Sequence, residues 1–233
     1  MTGLVLYELA GADPALRFSP YCWRTRLALA KKALPVTTVP WRYHEREALA
    51  FSGQERVPVL VDGATIVADS WAIADYLEQR YPERPSLFRG EPGPVRFLNS
   101  WADSTLHPAL LRVVVLDIFA VIDPGDRAYF RASRERRFAA TLEAHSADRA
   151  AHLAALKAVL TPLEAVLAQQ PYLAGADPAY ADYVLAGTFQ WIRCIGGPPL
   201  AAPDGPVAGW WQRMLDSFDG LLRRAPVRGE RAA

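Results

Sequence analysis

Ser19-Pro20-Tyr21-Cys22 stands between a short apolar run, Leu4–Leu9, and a helix-spaced segment, Pro20–Ala33. A serine followed by proline is a helix start: the hydroxyl accepts a first-turn N–H, and proline suits the first helical position. The same junction presents unpaired N–H groups and the positive end of a helix dipole, which together stabilise a sulfur anion. A plain cap and a thiolate-holding site are therefore compatible readings of these residues. Cys22 takes the second position of a redox-like pair whose first position is Ser19. No disulfide can close inside that motif, so disulfide exchange is not expected, and Cys22 reads as a small packed residue.

Two further junctions carry chemistry. Val57-Pro58 opens an apolar run of strand length. A trans proline at the first residue of a strand is the ordinary case; a cis bond would turn the Val57 N–H and C=O outward toward a peptide-like ligand. Asp69-Ser70 precedes the next helix-spaced segment. It reads as a cap, or as a site for an amino-acid head group, with Ser70 and helix N–H groups on a carboxylate and Asp69 on the ammonium.

The elements that position these residues follow two grammars. Over the first 80 residues or so, short strand-like and helix-like segments alternate. Leu4–Leu9 and Val36–Tyr43 read as strands, Pro20–Ala33 and Ser70–Tyr81 as helices, and His44–Phe51 as a short helix or loop. Val57–Val61 and Ala64–Val67 flank Asp62-Gly63, the strongest hairpin signal in the chain. The order β-α-β-(α)-β-β-α implies a mixed sheet covered by helices. Pro82, Pro85, Pro92 and Pro94, with Gly90 and Gly93, mark a linker. Beyond it strand signals nearly vanish, and helices are expected over 96–122, 127–145, 147–170, 181–195 and 206–224. The Leu153, Leu156, Leu160, Leu163, Leu167 stripe meets Pro162, which would kink the helix or restart it through a Thr161-Pro162-Leu163-Glu164 capping box.

Composition excludes several classes. The 233 residues are 51% apolar and carry 26 Lys+Arg against 25 Asp+Glu, a balance with no long-range pull on nucleic acid or acidic membranes. Apolar runs such as Val113–Leu116 are broken by charge within a few residues, so no bilayer-spanning segment is expected. Met1-Thr2-Gly3-Leu4 lacks a basic region before a long apolar stretch and reads as a strand start. Cys22 and Cys194 lie far apart, consistent with reduced thiols in the cytoplasm, and His44, His107, His145 and His152 lack metal-ligand spacing.

Each motif is short, but their order and spacing resemble the cytosolic glutathione transferase superfamily. The resemblance implies a thioredoxin-like, glutathione-binding domain over 1–82, a linker over 83–94, and an all-α domain over 95–233 that shapes the second substrate's pocket. It implies that Ser19 hydrogen-bonds the glutathione sulfur and Val57 pairs with the cysteinyl backbone beside cis-Pro58. Asp69 and Ser70 would hold the γ-glutamyl end. Arg42, His44 and Arg56 are the cations in the region of the glycine carboxylate, and the sequence does not choose among them. Phe18, Trp101, His107, Phe189 and Trp191 are candidates for the hydrophobic substrate, although such aromatics are more often core. Tyr7 is a rival to Ser19 that also reads as a packed strand residue. Tyr172-Leu173-Ala174-Gly175 followed by Ala181-Asp182 fits the helical half. Where the family usually has Ser or Thr this chain has Ala179, leaving Asp182 to bond back to the Ala179 N–H.

Arg17-Phe18-Ser19-Pro20-Tyr21-Cys22-Trp23-Arg24-Thr25-Arg26 and Tyr180-Ala181-Asp182-Tyr183…Gly187-Thr188-Phe189-Gln190-Trp191 are similar to the etherase-like branch. That branch includes bacterial glutathione-dependent β-aryl etherases of lignin breakdown and fungal transferases that bind wood-derived phenolics. A homodimer with glutathione as cosubstrate and no metal is implied. Lowering a thiol pKa by two units takes about 2.7 kcal/mol. A hydroxyl donor supplies roughly 1.5–3 kcal/mol and a helix terminus up to about 2. The reaction expected is attack on an aromatic electrophile, by conjugation or ether cleavage. The alternative is a binding protein for glutathione and aromatic ligands with little turnover.

Overall fold

The computed structural model describes residues 3–229, so Met1 and Thr2 of the expected strand start lie outside the described residues. Strand β1 (Leu4–Leu9) runs parallel to β2 (Val36–Trp41), with Leu4 opposite Val36 and Leu9 opposite Trp41. Strand β3 (Val59–Asp62) is antiparallel to β1 and to β4 (Thr65–Ala68), giving the order β2-β1-β3-β4. This is the mixed four-stranded, thioredoxin-like sheet. Strand β2 stops two residues short of the expected end, because Trp41 Nε1 and the Arg42 N–H turn back onto Glu45. Residues Arg46–Ser52 form a 3-10 helix. The hairpin turn is Gly63-Ala64; Asp62 ends β3, and its carboxylate accepts from the Tyr76 and Tyr81 hydroxyls at 2.9 and 2.6 Å. Helices α1 (Pro20–Lys31) and α2 (Ser70–Arg80) start on the Ser19 and Asp69 caps.

The second half is helical. Helix α3 (Gly93–Trp101) continues through a π-turn at Ala102–Leu106 into α4 (His107–Val121). The helix expected over 127–145 is two: α5 (Arg127–Phe138) and α6 (Leu142–His145), separated by Ala139 at φ 52° and a new Thr141 cap. Helix α7 (Arg149–Leu167) passes through Pro162 without a restart. Pro162 is exposed, Thr161 Oγ1 donates to the Lys157 carbonyl, and Leu156, Leu160, Leu163 and Leu167 face the core. Helices α8 (Tyr180–Cys194) and α9 (Pro206–Gly220) complete the layer. The missing Ala179 cap is met as expected: the Asp182 carboxylate accepts from the Ala179 N–H at 3.1 Å, and also from Leu173, Ala174 and Trp210.

One expectation needs correction. Gly93–Val121, joined across the π-turn, and α7 are both long and apolar enough to cross a membrane by length and composition. The first is a core helix, with Leu106, Leu110, Val113, Val114 and Ile118 buried.

The halves are locked together along α1 and α8. A Cβ at Gly187 would lie 2.5 Å from the Pro20 carbonyl oxygen, so only glycine lets α8 seat on the first turn of α1. Arg24, fully buried on α1, donates to Asn99 at 2.9 Å and pairs with Asp103 at 2.8 Å in the π-turn.

Candidate active site

Ser19 sits at the mouth of a cleft of about 420 Å³ between the two halves. Its Oγ accepts the Cys22 N–H at 3.3 Å, which closes the cap and leaves the hydroxyl hydrogen to donate elsewhere. The first-turn N–H groups of α1 and the dipole point at the same spot. One oxygen is thus placed to serve both a cap and an anion. Cys22 is fully buried, and burial pushes its thiol up to about 12, against the smaller effect of the Ser19 hydrogen bond. It is a packing residue. Tyr7 packs on Phe51 at 5.3 Å and is not among the cleft residues.

On the sheet side the Val57-Pro58 bond is cis, and Val57 lines the cleft next to Arg56. The Pro58 carbonyl accepts from the Asp69 N–H at 3.3 Å, which brings the third motif beside the second. Asp69 Oδ1 caps α2 by accepting from Trp71 and Ala72 at 2.9 and 3.1 Å, and the residue is exposed at φ 78°. Ser70 is buried, with its carbonyl taken by the Tyr180 hydroxyl at 2.8 Å, so its side chain is less accessible than the sequence suggests. Asp69 and Ser70 adjoin the cleft through Pro58 but do not line it.

The three candidate cations separate. Arg42 is committed to the Gly11 and Ala12 carbonyls, Glu45 and Asp123. His44 lies outside the cleft, because Asp126 accepts both its backbone N–H at 2.8 Å and its ring Nδ1 at 2.9 Å. Arg56 is exposed at the cleft wall and pairs with no carboxylate among the described residues.

The far wall comes from α1, α4, α5 and α8. His107 Nε2 is 2.9 Å from Thr188 Oγ1, whose own hydrogen goes to the Val184 carbonyl. Nε2 therefore carries the proton, and Nδ1 is left to accept from the Tyr21 hydroxyl at 3.3 Å. Burial, reinforced by Arg24, holds His107 well below its usual pKa, so it is neutral. Trp191 packs edge-on to it at 5.5 Å. Phe18, His107 and Trp191 line the cleft as expected, whereas Trp101 and Phe189 do not. Phe189 is buried against Trp210 and Trp211, and Trp101 packs on the core at the π-turn. Phe189 belongs to the aromatic core, and Trp101 packs on the core's edge, half-buried.

Sequence reasoning missed Tyr21, Tyr43 and the α5 face formed by Phe130, Ser133, Arg134 and Arg137. Those four sit at i, i+3, i+4 and i+7, and arginines sharing a face with a buried Phe were the available signal. Among the described residues no cluster of three or more His, Cys, Asp or Glu could hold a metal ion.

Residues 96–221 match the glutathione S-transferase C-terminal domain and residues 14–85 the N-terminal domain of the same family. Glutathione S-transferase F10 of Arabidopsis thaliana is 27% identical over 175 residues, 72% of this chain and 73% of its own. The solved structure of glutathione transferase GSTFuA3 from Phanerochaete chrysosporium superposes with a TM-score of 0.81 at 26% identity, covering 94% of this chain and 97% of that one. CsGST83044 of Ceriporiopsis subvermispora, solved in complex with glutathione, gives 0.80 at 23% identity over 94% and 99%. The chain belongs to the glutathione S-transferase family.

Proposed function

We propose that the chain is a serine-type, etherase-like glutathione transferase, with residues 1–82 binding glutathione and 95–233 shaping the electrophile pocket. The observation that carries this reading is Ser19. Its oxygen is anchored by the Cys22 N–H while its O–H stays free at a helix N-terminus facing an aromatic cleft. Glutathione supplies the thiol. Ser19 donates to the thiolate sulfur, Val57 offers its backbone beside cis-Pro58, Arg56 meets the glycine carboxylate, and Asp69 with the start of α2 holds the γ-glutamyl end. Hydrogen-bond donation and the helix terminus lower the thiol pKa, and no general base is needed. The aromatic lining of the far wall supports an aromatic electrophile, and the two stretches quoted above support the etherase-like branch.

The test is calorimetric binding of glutathione, followed by a panel of electrophiles with glutathione present and absent. A β-aryl ether and 1-chloro-2,4-dinitrobenzene belong in that panel. Turnover of either supports the proposal, and the ratio of the two sorts ether cleavage from conjugation. Glutathione binding without turnover of any electrophile marks the carrier instead.

A further inference from the structure

Three arginines face the cleft without a counter-charge. Arg56 stands beside Val57 on the sheet side, whereas Arg134 and Arg137 project from α5 on the opposite wall. Among the described residues none of the three is paired with a carboxylate; Arg134 Nη1 donates only to Ser133 Oγ at 3.0 Å. Of the two carboxylates that also line the cleft, one is engaged and the other is turned largely to solvent. Asp103 is held by Arg24 at 2.8 Å, and Glu55 is 3.9 Å from Arg46. The wall therefore keeps an excess of positive charge. Such an excess, next to low-dielectric aromatic surface, concentrates anions.

The arginines are also set among rings. The Arg134 guanidinium lies 4.6 Å from the Phe130 ring centroid and 6.0 Å from that of Tyr43. The cation–π contact with Phe130 anchors the guanidinium at the wall, and its N–H groups remain available to a carboxylate. The field of Arg137 reaches the Tyr21 hydroxyl, where it opposes the effects of burial and Asp103. Both α5 charges are thus felt inside the cleft.

Resting on the transferase reading, we propose that the preferred electrophile is an aromatic that carries a carboxylate, received by Arg134 and Arg137 while its ring lies in the cleft between Tyr21 and Tyr43. Glutathione brings two carboxylates of its own, but they belong to the sheet side, at Arg56 and at the start of α2. The α5 pair is left for the second substrate. With 4-chloro-3-nitrobenzoate the thiolate sulfur bonds to C4, chloride departs with the bonding pair, and the thiol proton has already passed to solvent.

The experiment compares 4-chloro-3-nitrobenzoate with its methyl ester, each kcat/KM divided by the uncatalysed rate with glutathione. The carboxylate should be preferred about tenfold or more, as charge-assisted pairing with one or two guanidinium groups implies. The Arg134→Gln/Arg137→Gln double variant should lose most of that preference through a higher KM for the carboxylate. Arg134→Lys/Arg137→Lys should keep part of it. Equal treatment of acid and ester, or a preference that survives the double Gln variant, overturns the proposal. So does a rise in the glutathione KM, measured with the ester, while discrimination is retained. Calorimetry of unreactive 3-nitrobenzoate and its methyl ester, with glutathione present and absent, reads the same preference independently of turnover. A protein that binds the acid about tenfold more tightly than the ester, yet conjugates neither, keeps this inference and fails as a transferase. One that conjugates both with no preference does the reverse.

Discussion

Replacing Ser19 by alanine removes one oxygen that has two jobs, and the two losses are separable. The cap loses its acceptor for the Cys22 N–H, a 3.3 Å bond, which costs about 0.5–2 kcal/mol of stability. The bound thiolate loses a hydroxyl donor worth roughly 1.5–3 kcal/mol, or about one to two pKa units. The helix dipole survives, so the shift stops there. On the acid limb of the pH profile, turnover should fall about ten- to hundredfold, and the deficit should close as pH passes the higher pKa. A pH-rate profile of kcat/KM with 1-chloro-2,4-dinitrobenzene reads the second loss, and thermal unfolding reads the first. Ser19→Thr keeps hydroxyl and cap, and should recover most of both. Ser19→Cys rebuilds a Cys-Pro-Tyr-Cys helix start, and intact mass should then show a mixed disulfide with glutathione while conjugation is lost. Full activity of Ser19→Ala at every pH would reduce Ser19 to a cap. A backbone N–H would then have to hold the thiolate, because Tyr7 lies outside the cleft.

Asp69→Ala should raise the glutathione dissociation constant about tenfold or more, near 1.4 kcal/mol, by calorimetry. Asp69→Asn keeps the cap to Trp71 and Ala72 but removes the charge, so wild-type affinity in that variant would dismiss the ammonium contact. Glu8 is fully buried, with Arg17 Nε at 3.5 Å and Arg26 Nε at 3.7 Å but no aligned hydrogen bond, and burial lifts its pKa from 4.5 to about 7. The folded chain therefore keeps a proton that the unfolded chain releases. The stability that Glu8 contributes should be greatest below about pH 4.5, fall by about 3 kcal/mol as pH rises to about 7, and then level. Urea unfolding of Glu8→Gln at pH 5 and pH 8 should show that slope flattened; an unchanged slope would place the titration elsewhere. The resemblance implies a homodimer, and light scattering should give twice the 25.7 kDa chain mass.

What the sequence made legible is what local chemistry decides. Ser19-Pro20, Val57-Pro58, the hairpin and Asp69-Ser70 each announce themselves within a few residues, since caps and turns depend on neighbours in the chain. Helix breaks inside the second half were harder. Ala139 ends α5 in the left-handed region without a glycine, and nothing in Phe138-Ala139-Ala140-Thr141 marks it except the Thr141 cap. Of the kink and the restart that Pro162 allowed, the restart does not occur: on an exposed face the proline does not end the helix, and the leucine stripe on the opposite face holds it to the core. The aromatics were ambiguous for a different reason. Phe189 and Trp191 are two residues apart on α8 and so point to different sides, one into the Trp210–Trp211 cluster and one into the cleft. Which side faces the cleft is fixed by how α8 packs, and no local signal states that.

That packing also changes what the helical half is for. The resemblance gives it the second substrate alone, but the structure ties it to the Ser19 end of α1. Gly187 of α8 leaves room for the Pro20 carbonyl, one residue after Ser19, and a methyl group there would meet the Arg24 N–H at 3.1 Å as well. Arg24, little more than one turn past Ser19 and without exposure, is held by Asn99 and Asp103 of α3 and the π-turn. The π-turn places Asp103 where it reaches that guanidinium and stands 3.6 Å from His107 Nδ1. Arg24 is buried but the Asp103 side chain is 33% exposed, so losing Asp103 costs less than the roughly 3–5 kcal/mol of a fully buried pair, and leaves the guanidinium with Asn99 alone. The helix proposed to stabilise the sulfur anion is thus fixed from behind by the same elements that build the far wall of the cleft. The orientation of Ser19 and the shape of the cleft cannot vary independently.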